Sequence, residues 1–502
     1  MTVSKKETNI SDAKKNSSGE SPRRALHLGY MYWSNGTHPA GWRYPGAEHS
    51  RAFDVDHFVG LAQRAEAAKF DFFFFGDRLA TGAEYGYTNT SVIARLEPFT
   101  TAAYLATLTK TIGIVVTANP TYYEPFNLAR LTASLDHVTK GRASWNVVTG
   151  ADPRAAQNYS RLEHGDANFR YDRAEEFIDL VRSLWDSWED DAFIRNKETG
   201  EFVDGSKIHA VNHDGKTFQV KGPLNVARSP QGHPVILHAG SSERSRQFAA
   251  READVAFAGV ATLTQGRQYA TEIRCRATES GRDPDEISIL PGLTPLVGAT
   301  LAEAREIYDE LNSLTILDED VRFGGREPSA WTRGAEGLHG SSEGVPLGYR
   351  NLGSLSQRLG LDVTEESIDA VVPLEIEGRL APAGSQLVIT ATQRTGRTVG
   401  LNLTWRDVLY TYVVGGHVVV GGPTEIADYI ESWHAAGAAD GFIIQSAFLD
   451  EQFDAFIDLV VPELRRRGLF RSEYEGSTFR EHLGLTRPQS RFTLDQGIEV
   501  SS

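Results

Sequence analysis

Apolar runs of strand length recur along this chain, and most are followed by a stretch with helical periodicity. Eight such runs begin near residues 26, 71, 112, 143, 234, 254, 287 and 441. They include LHLGYMYW (26–33), FDFFFF (70–75), IGIVVTA (112–118), ASWNVVTG (143–150), PVILHAG (234–240) and GFIIQSAFL (441–449). Each is nearly continuous in Val, Ile, Leu and Phe rather than alternating with polar residues, as expected of strands covered on both faces of a parallel sheet. The intervening segments carry helical signals. Phe53, Phe58, Leu61, Ala62, Ala65 and Ala68 space out one helix face. Lys140 and Gly141 supply the usual C-terminal chemistry for a helix over 124–141. Strand–helix alternation repeated eight times predicts an α/β protein, specifically a closed (β/α)8 TIM barrel.

An ordinary barrel of this kind takes about 250 residues, and this chain has 502. The surplus falls at about 150–232, after the fourth strand, and 315–422, after the seventh. Insertions at the C-terminal face of a barrel stand over its active site. The second insertion holds a Gly- and Ser-rich stretch (324–350), then LEIEGRL (374–380) and SQLVITAT (385–392), which read as a hairpin-like pair. Residues 1–24 form a polar tail without the apolar core of a secretory signal. A single domain is expected over 25–485, with 486–502 as a C-terminal tail.

The formal net charge is −16, and such a chain repels nucleic-acid phosphates and anionic membranes. One cysteine, Cys275, excludes an intrachain disulfide framework and multi-cysteine metal sites. No apolar run reaches the length that spans a bilayer, so a cytoplasmic location is expected.

The strand ends hold the candidate chemistry. Asp77 follows the second strand, Thr117 ends the third, and Asn146 and Thr149 end the fourth. Gly240, Ser241 and Ser242 lead the fifth strand into a helix, whose free N–H groups suit a phosphate. The plainer alternatives stay open: Ser242 as an ordinary N-cap, with Ser245 three residues on, and Asp77 as a turn residue. His38, in a loop with Trp33, Trp42 and Tyr44, is a candidate substrate wall, and Phe75 or Phe73 is expected to point inward. No carboxylate ends the fourth or seventh strand, which leaves a glycosidase unsupported. The G-x-S-x-G, G-x-G-x-x-G and Walker A patterns are missing as well. His209 and His213 have metal-ligand spacing only on a helix, and their context reads as extended strands around Asp214-Gly215, so no metal is expected.

Taken together, NGTHPAGWR (35–43), KFDFFFFGDRLA (69–80), RYDRAEEFIDLVRSLWDSW (170–188), GPLNVARSPQGHPVILHAGSSERSRQFA (222–249) and FRSEYEGSTFREHLGL (470–485) resemble a known family. The chain is similar to flavin-dependent monooxygenases of the bacterial luciferase-like superfamily, in the branch of nitrilotriacetate, EDTA and dibenzothiophene sulfone monooxygenases. The likeness spans about 25–315 and 420–485; 316–419 matches poorly. It implies reduced FMN at the C-terminal mouth of the barrel. Asp77 and Thr117 would lie beside the flavin ring or its ribityl chain. Asn146 would face the oxygen-reacting edge as a catalytic residue. Tyr171, Gly240, Ser241 and Ser242 would hold the phosphate. His38, Trp33 and Phe75 would line the substrate side, His38 also serving catalysis. Relatives often carry His four residues before the matching tyrosine, where this chain has Ala167; the nearest histidine is His164.

The resemblance further implies a two-component enzyme that oxygenates a small organic compound with O2. The substrate would be a xenobiotic or a sulfur-, nitrogen- or halogen-containing molecule. A separate NAD(P)H:flavin oxidoreductase would supply FMNH2, and the chain would assemble as a homodimer or homotetramer. The rivals are a deazaflavin-dependent oxidoreductase on the same barrel and a non-catalytic flavin-binding protein.

Overall fold

Parallel pairing of the apolar runs dominates the architecture. The computed structural model describes residues 25–47, 53–80, 94–150, 152–161, 163–315, 350–364, 367–376 and 378–495. The first half lays down β1 (His27–Tyr32), α1 (Val55–Ala67), β2 (Phe72–Phe75), α2 (Pro98–Ala106), β3 (Gly113–Ala118), α3 (Pro125–Thr139) and β4 (Ala143–Val147). An excursion follows, with α4 (Ala155–Asn158), α5 (Ala167–Trp185) and a two-stranded hairpin of β5 (His213–Asp214) and β6 (Gln219–Val220). The chain then returns through β7 (Val235–Ala239), α6 (Glu243–Glu252), β8 (Val255–Phe257), α7 (Leu263–Glu279), β9 (Ser288–Ile289), β10 (Gly292–Val297) and α8 (Leu301–Ser313). After the second excursion come β11 (Val418–Gly421), the helix Pro423–Ala435 and β12 (Gly441–Ile444).

The large sheet has ten strands in the order β11-β10-β12-β1-β2-β3-β4-β7-β8-β9. Its ladders are parallel throughout, for example Thr117 opposite Asn146 and Gly29 opposite Phe72. β9 and β10 are one run interrupted at Leu290-Pro291, where proline cannot donate to a ladder. The amides of Asp440 and Ile443 donate to the carbonyls of Ile289 and Pro291, at 2.8 and 3.0 Å, and so close the ring between β12 and this run. All eight expected barrel strands are therefore present. β11 is an addition, pairing with the outer stretch of β10 (Thr294 opposite Val418).

Alternation along each strand sorts the side chains. Phe72, Phe74, Val115, Val235, Leu237, Val255 and Ile443 form the barrel interior. Phe479, Leu483 and Leu485 plug it from the end where the strands begin. A Cβ on Gly113 would lie 2.7 Å from the Phe479 ring, so glycine is what admits that plug. Tyr30, Phe73, Phe75, Val116, Trp145 and Ile444 face outward onto the helices. Residues 73 and 75 share one face because they are two apart. Phe73 and Phe75 thus both point away from the interior, and Phe72 and Phe74 fill it. That corrects the expectation that one of Phe73 and Phe75 must point inward.

Two further expectations change. SQLVITAT lies in a helix, Pro382–Thr395, and LEI forms a single tight turn, Leu374–Ile376. Val388, Ala391 and Thr395 are buried at helical spacing, Pro382 opens the helix, and Gly396 closes it with left-handed backbone. β-branched composition outweighed those end signals in the strand reading. With helices Arg350–Leu359 and Trp405–Val414, this segment builds its own apolar cluster around Leu355, Leu359, Val408 and Leu409. The residues after 485 are also more than a loose end. Arg487 pairs with Asp190 at 2.6 Å, Arg491 pairs with Asp179 at 2.9 Å, and Arg491–Asp495 is helical. Residues 1–24 and 316–349 lie outside the described residues. No described helix is long and apolar enough to cross a membrane.

Candidate active site at the barrel mouth

At the ends of β3 and β4, Thr117 and Asn146 are neighbours by register and are bonded to each other. Asn146 Nδ2 donates to Thr117 Oγ1 at 3.0 Å, and Thr117 Oγ1 donates to the Phe75 carbonyl at 2.9 Å. Both side chains are buried, so each is fixed by the other rather than by solvent. Asn146 Oδ1 makes no hydrogen bond among the described residues. Two residues past β2, Asp77 accepts from the Arg78 amide at 2.7 Å. Burial raises its carboxyl above the ordinary range, against the opposing pull of that amide and of Arg95. Trp33, just past β1, lies under the Arg95 guanidinium at 5.2 Å. Phe75, on the outer face, shares a cleft with Trp33, Tyr32, Phe58, Gly76 and Leu96 at the rim.

A second group assembles where β7 turns into α6. Gly240 has φ +150°, and a Cβ there would meet Ser245 Oγ at 2.1 Å, so no larger residue makes this turn. Ser242 is the N-cap and accepts from the Ser245 amide at 3.2 Å. The plain cap reading is therefore correct as far as it goes. It still leaves the amides of Ser241, Ser242, Glu243 and Arg244 without a protein acceptor among the described residues. Those amides, at the positive end of a ten-residue helix, could seat an anion. Ser241 and Ser242 are exposed, as a ligand-accepting turn requires. Tyr171, from α5, stands beside the seat against His238 and Phe248, with ring centroids 6.0 and 5.9 Å away. The Arg244 guanidinium lies 5.8 Å above the Tyr171 ring.

His238 was missed by the sequence reading, although it stands within HAGSS. Its Nδ1 reaches the Val147 carbonyl at 2.8 Å and its Nε2 reaches Ser245 Oγ at 2.9 Å. It fastens the end of β4 to the first turn of α6, joining the two halves of the site. The visible signal was a histidine on the outward face of a strand, where a buried imidazole requires partners.

His38 follows β1 and is 3% exposed. Its Nδ1 accepts from the Ala40 amide at 3.1 Å, so Nε2 carries the proton and donates to Asn312 Oδ1 on α8 at 3.2 Å. Burial pulls its pKa down to about 4, and the ring is neutral at physiological pH. At the Ala167 departure, α5 begins with Ala167 itself under an Asp166 cap. His164 instead reaches back to the end of β4. Its Nδ1 is hydrogen-bonded to Tyr122 at 2.5 Å, and its ring approaches Gly150.

His209 and His213 do not converge. They pair separately, with Glu189 at 2.8 Å and Glu176 at 3.1 Å. The mouth thus has a turn of unpaired amides that could seat an anion at one side and a paired Thr–Asn floor at the other. That arrangement suits a planar, phosphorylated organic cofactor.

Comparison with known proteins places these features in context. A family model described as luciferase-like monooxygenase matches residues 33–440. The chain is 40% identical to N-acetyl-S-(2-succino)cysteine monooxygenase of Bacillus subtilis (strain 168), over 94% of this chain and 99% of that protein. It is 40% identical to nitrilotriacetate monooxygenase component A of Aminobacter aminovorans, covering 93% and 98%. Among solved structures, a riboflavin lyase superposes with a TM-score of 0.71 at 29% identity, covering 93% of this chain and 97% of that one.

Proposed function

The chain belongs to the luciferase-like monooxygenase family, and from that premise we propose that it is a two-component monooxygenase using reduced FMN. It would transfer one oxygen atom of O2 to a small sulfur- or nitrogen-containing organic substrate, with FMNH2 delivered by a separate NAD(P)H:flavin oxidoreductase. The observation that carries this reading is the division of the mouth into an anion seat at Gly240–Ser242 and a polar floor at Thr117–Asn146. Further support comes from the riboflavin lyase, whose structure contains a modified FMN, and from the name "component A" of the nitrilotriacetate relative.

Bound reduced FMN supplies the electrons that activate O2. The protein's part is placement and exclusion of water. Ser242, Ser241 and Tyr171 would hold the phosphate against the amides of the α6 turn. Asn146 would present its unbonded Oδ1 to the ring, held in orientation by Thr117. Asp77, its pKa raised by burial, would sit beside the ring or ribityl chain. His38 would wall the substrate side as a neutral ring whose two nitrogens are already engaged, which makes it a positioning group and not a base. Trp33 and Phe75 would add apolar surface at the rim.

The test is titration of the purified chain with reduced FMN under anaerobic conditions, alongside reduced deazaflavin. Saturable binding of FMNH2 that weakens in S242A and Y171F is expected. Preference for the deazaflavin, or no loss in either variant, would overturn the cofactor assignment. Oxygen consumption with NADH, a flavin reductase and a panel of thioethers, sulfones and amino acids then reports the reaction.

A further inference from the structure

One buried cation near the mouth has no carboxylate partner among the described residues. Arg394, on the helix Pro382–Thr395, is 4% exposed. Its Nη2 donates to the carbonyls of Gly415 and Gly416 at 3.1 and 2.8 Å, ending the helix Trp405–Val414. Its Nε and Nη1 are equally buried and find no acceptor among the described residues. No carboxylate pairs with it among the described residues. Guanidinium groups are forks that match carboxylates bidentately, and they are seldom buried without an anion.

Its surroundings connect it to the site. The helix of Arg394 packs across α8 and β11. α8 carries Asn312, the partner of His38. Thr315, whose amide donates to the Asn312 carbonyl at 2.9 Å, keeps its own Oγ1 buried and without a hydrogen-bond partner among the described residues. His38 owes its neutrality first to burial, and the Arg394 charge adds to the effect, as it does at His417. The elements that close over β10 therefore bring together a full positive charge, a neutral histidine and two polar side chains. No acid among the described residues pairs with Arg394.

We propose that Arg394 is the specificity-determining residue for an anionic group on the substrate, taking a carboxylate through its free Nε and Nη1 at the His38–Asn312 side of the mouth. The proposal rests on the monooxygenase reading for the word substrate, but not for the binding itself. It makes this enzyme one for small organic acids rather than for neutral sulfones or hydrocarbons. A charged pair of this kind discriminates against a neutral isostere, because the neutral ligand leaves the guanidinium buried and unmatched.

The experiment is isothermal titration of the full chain, with and without FMN, by N-acetyl-S-(2-succino)cysteine, nitrilotriacetate and uncharged dibenzothiophene sulfone. Saturable binding of at least one acid is expected, weakened roughly ten-fold or more in R394Q and partly recovered in R394K. Binding of the sulfone and of reduced FMN is expected to be unchanged in both variants. Equal acid affinity in wild type and R394Q, or no saturable acid binding to wild type, would overturn the proposal. If R394Q loses its cooperative melting transition, R394K carries the comparison, since it keeps the charge and loses the fork. A selective loss of acid binding in R394K then supports the proposal, and an unchanged affinity overturns it. Failure of the monooxygenase reading would look different: acid binding and its dependence on Arg394 would persist while FMNH2-dependent oxygen consumption was absent.

Discussion

Thr117 spends its one hydroxyl twice, as donor to the Phe75 carbonyl and as acceptor from Asn146. Replacing it with valine keeps the shape and strands two buried groups. We expect T117V to cost about 1–3 kcal/mol in denaturant unfolding. N146A should cost less in that background than in wild type, because the pair is coupled. His38 gives a pH signature. Its folded pKa is about 4, below the ordinary 6.5, so between those values the unfolded chain binds a proton that the folded chain refuses. Its contribution is fully present above about pH 6.5 and is lost as pH falls toward 4. The slope it adds approaches roughly 1.4 kcal/mol per pH unit. H38Q should flatten the fall in stability between pH 6.5 and 4.5 by about that slope, measured by urea unfolding at several pH values. At this scale, sequence reading located strand-end residues well, since Thr117 and Asn146 sit where strand length put them. It could not find Arg394, because a charged residue in an amphipathic stretch carries no mark of being buried away from any carboxylate.

Among elements, the turn from β7 into α6 is the most demanding. S242A removes the cap and should cost about 1 kcal/mol. G240A forces a Cβ into Ser245 Oγ and should cost more, about 1–3 kcal/mol. It should also weaken reduced FMN binding, because the turn cannot keep its amides aligned. Near-equal stability of the two variants by thermal unfolding would contradict the close approach at Gly240. Strands of this sheet were legible because burial on both faces leaves an uninterrupted apolar run. SQLVITAT was misread for the complementary reason. Its Val, Ile and Thr favour strands, yet the buried set repeats every three to four residues and Pro382 and Gly396 mark helix ends. Periodicity is the stronger signal, but in eight residues it completes barely two turns.

For the whole molecule, the cluster around Leu355 and Leu409 is a core distinct from that of the barrel. L409A should cost about 2–5 kcal/mol locally. Hydrogen exchange should speed up across 350–414 and leave β1 to β4 protected; uniform acceleration would mean that the two cores unfold as one. The closed parallel barrel was legible from alternation alone. Its floor was not, because Phe479, Leu483 and Leu485 sit some hundreds of residues from most of the strands they fill. Those three residues have a consequence for biosynthesis. Until residues 479–485 have left the ribosome, the nascent barrel has an open base, with Phe72 and Phe74 lacking their stopper. Strands made early in synthesis therefore wait on residues made much later to seal the interior they surround.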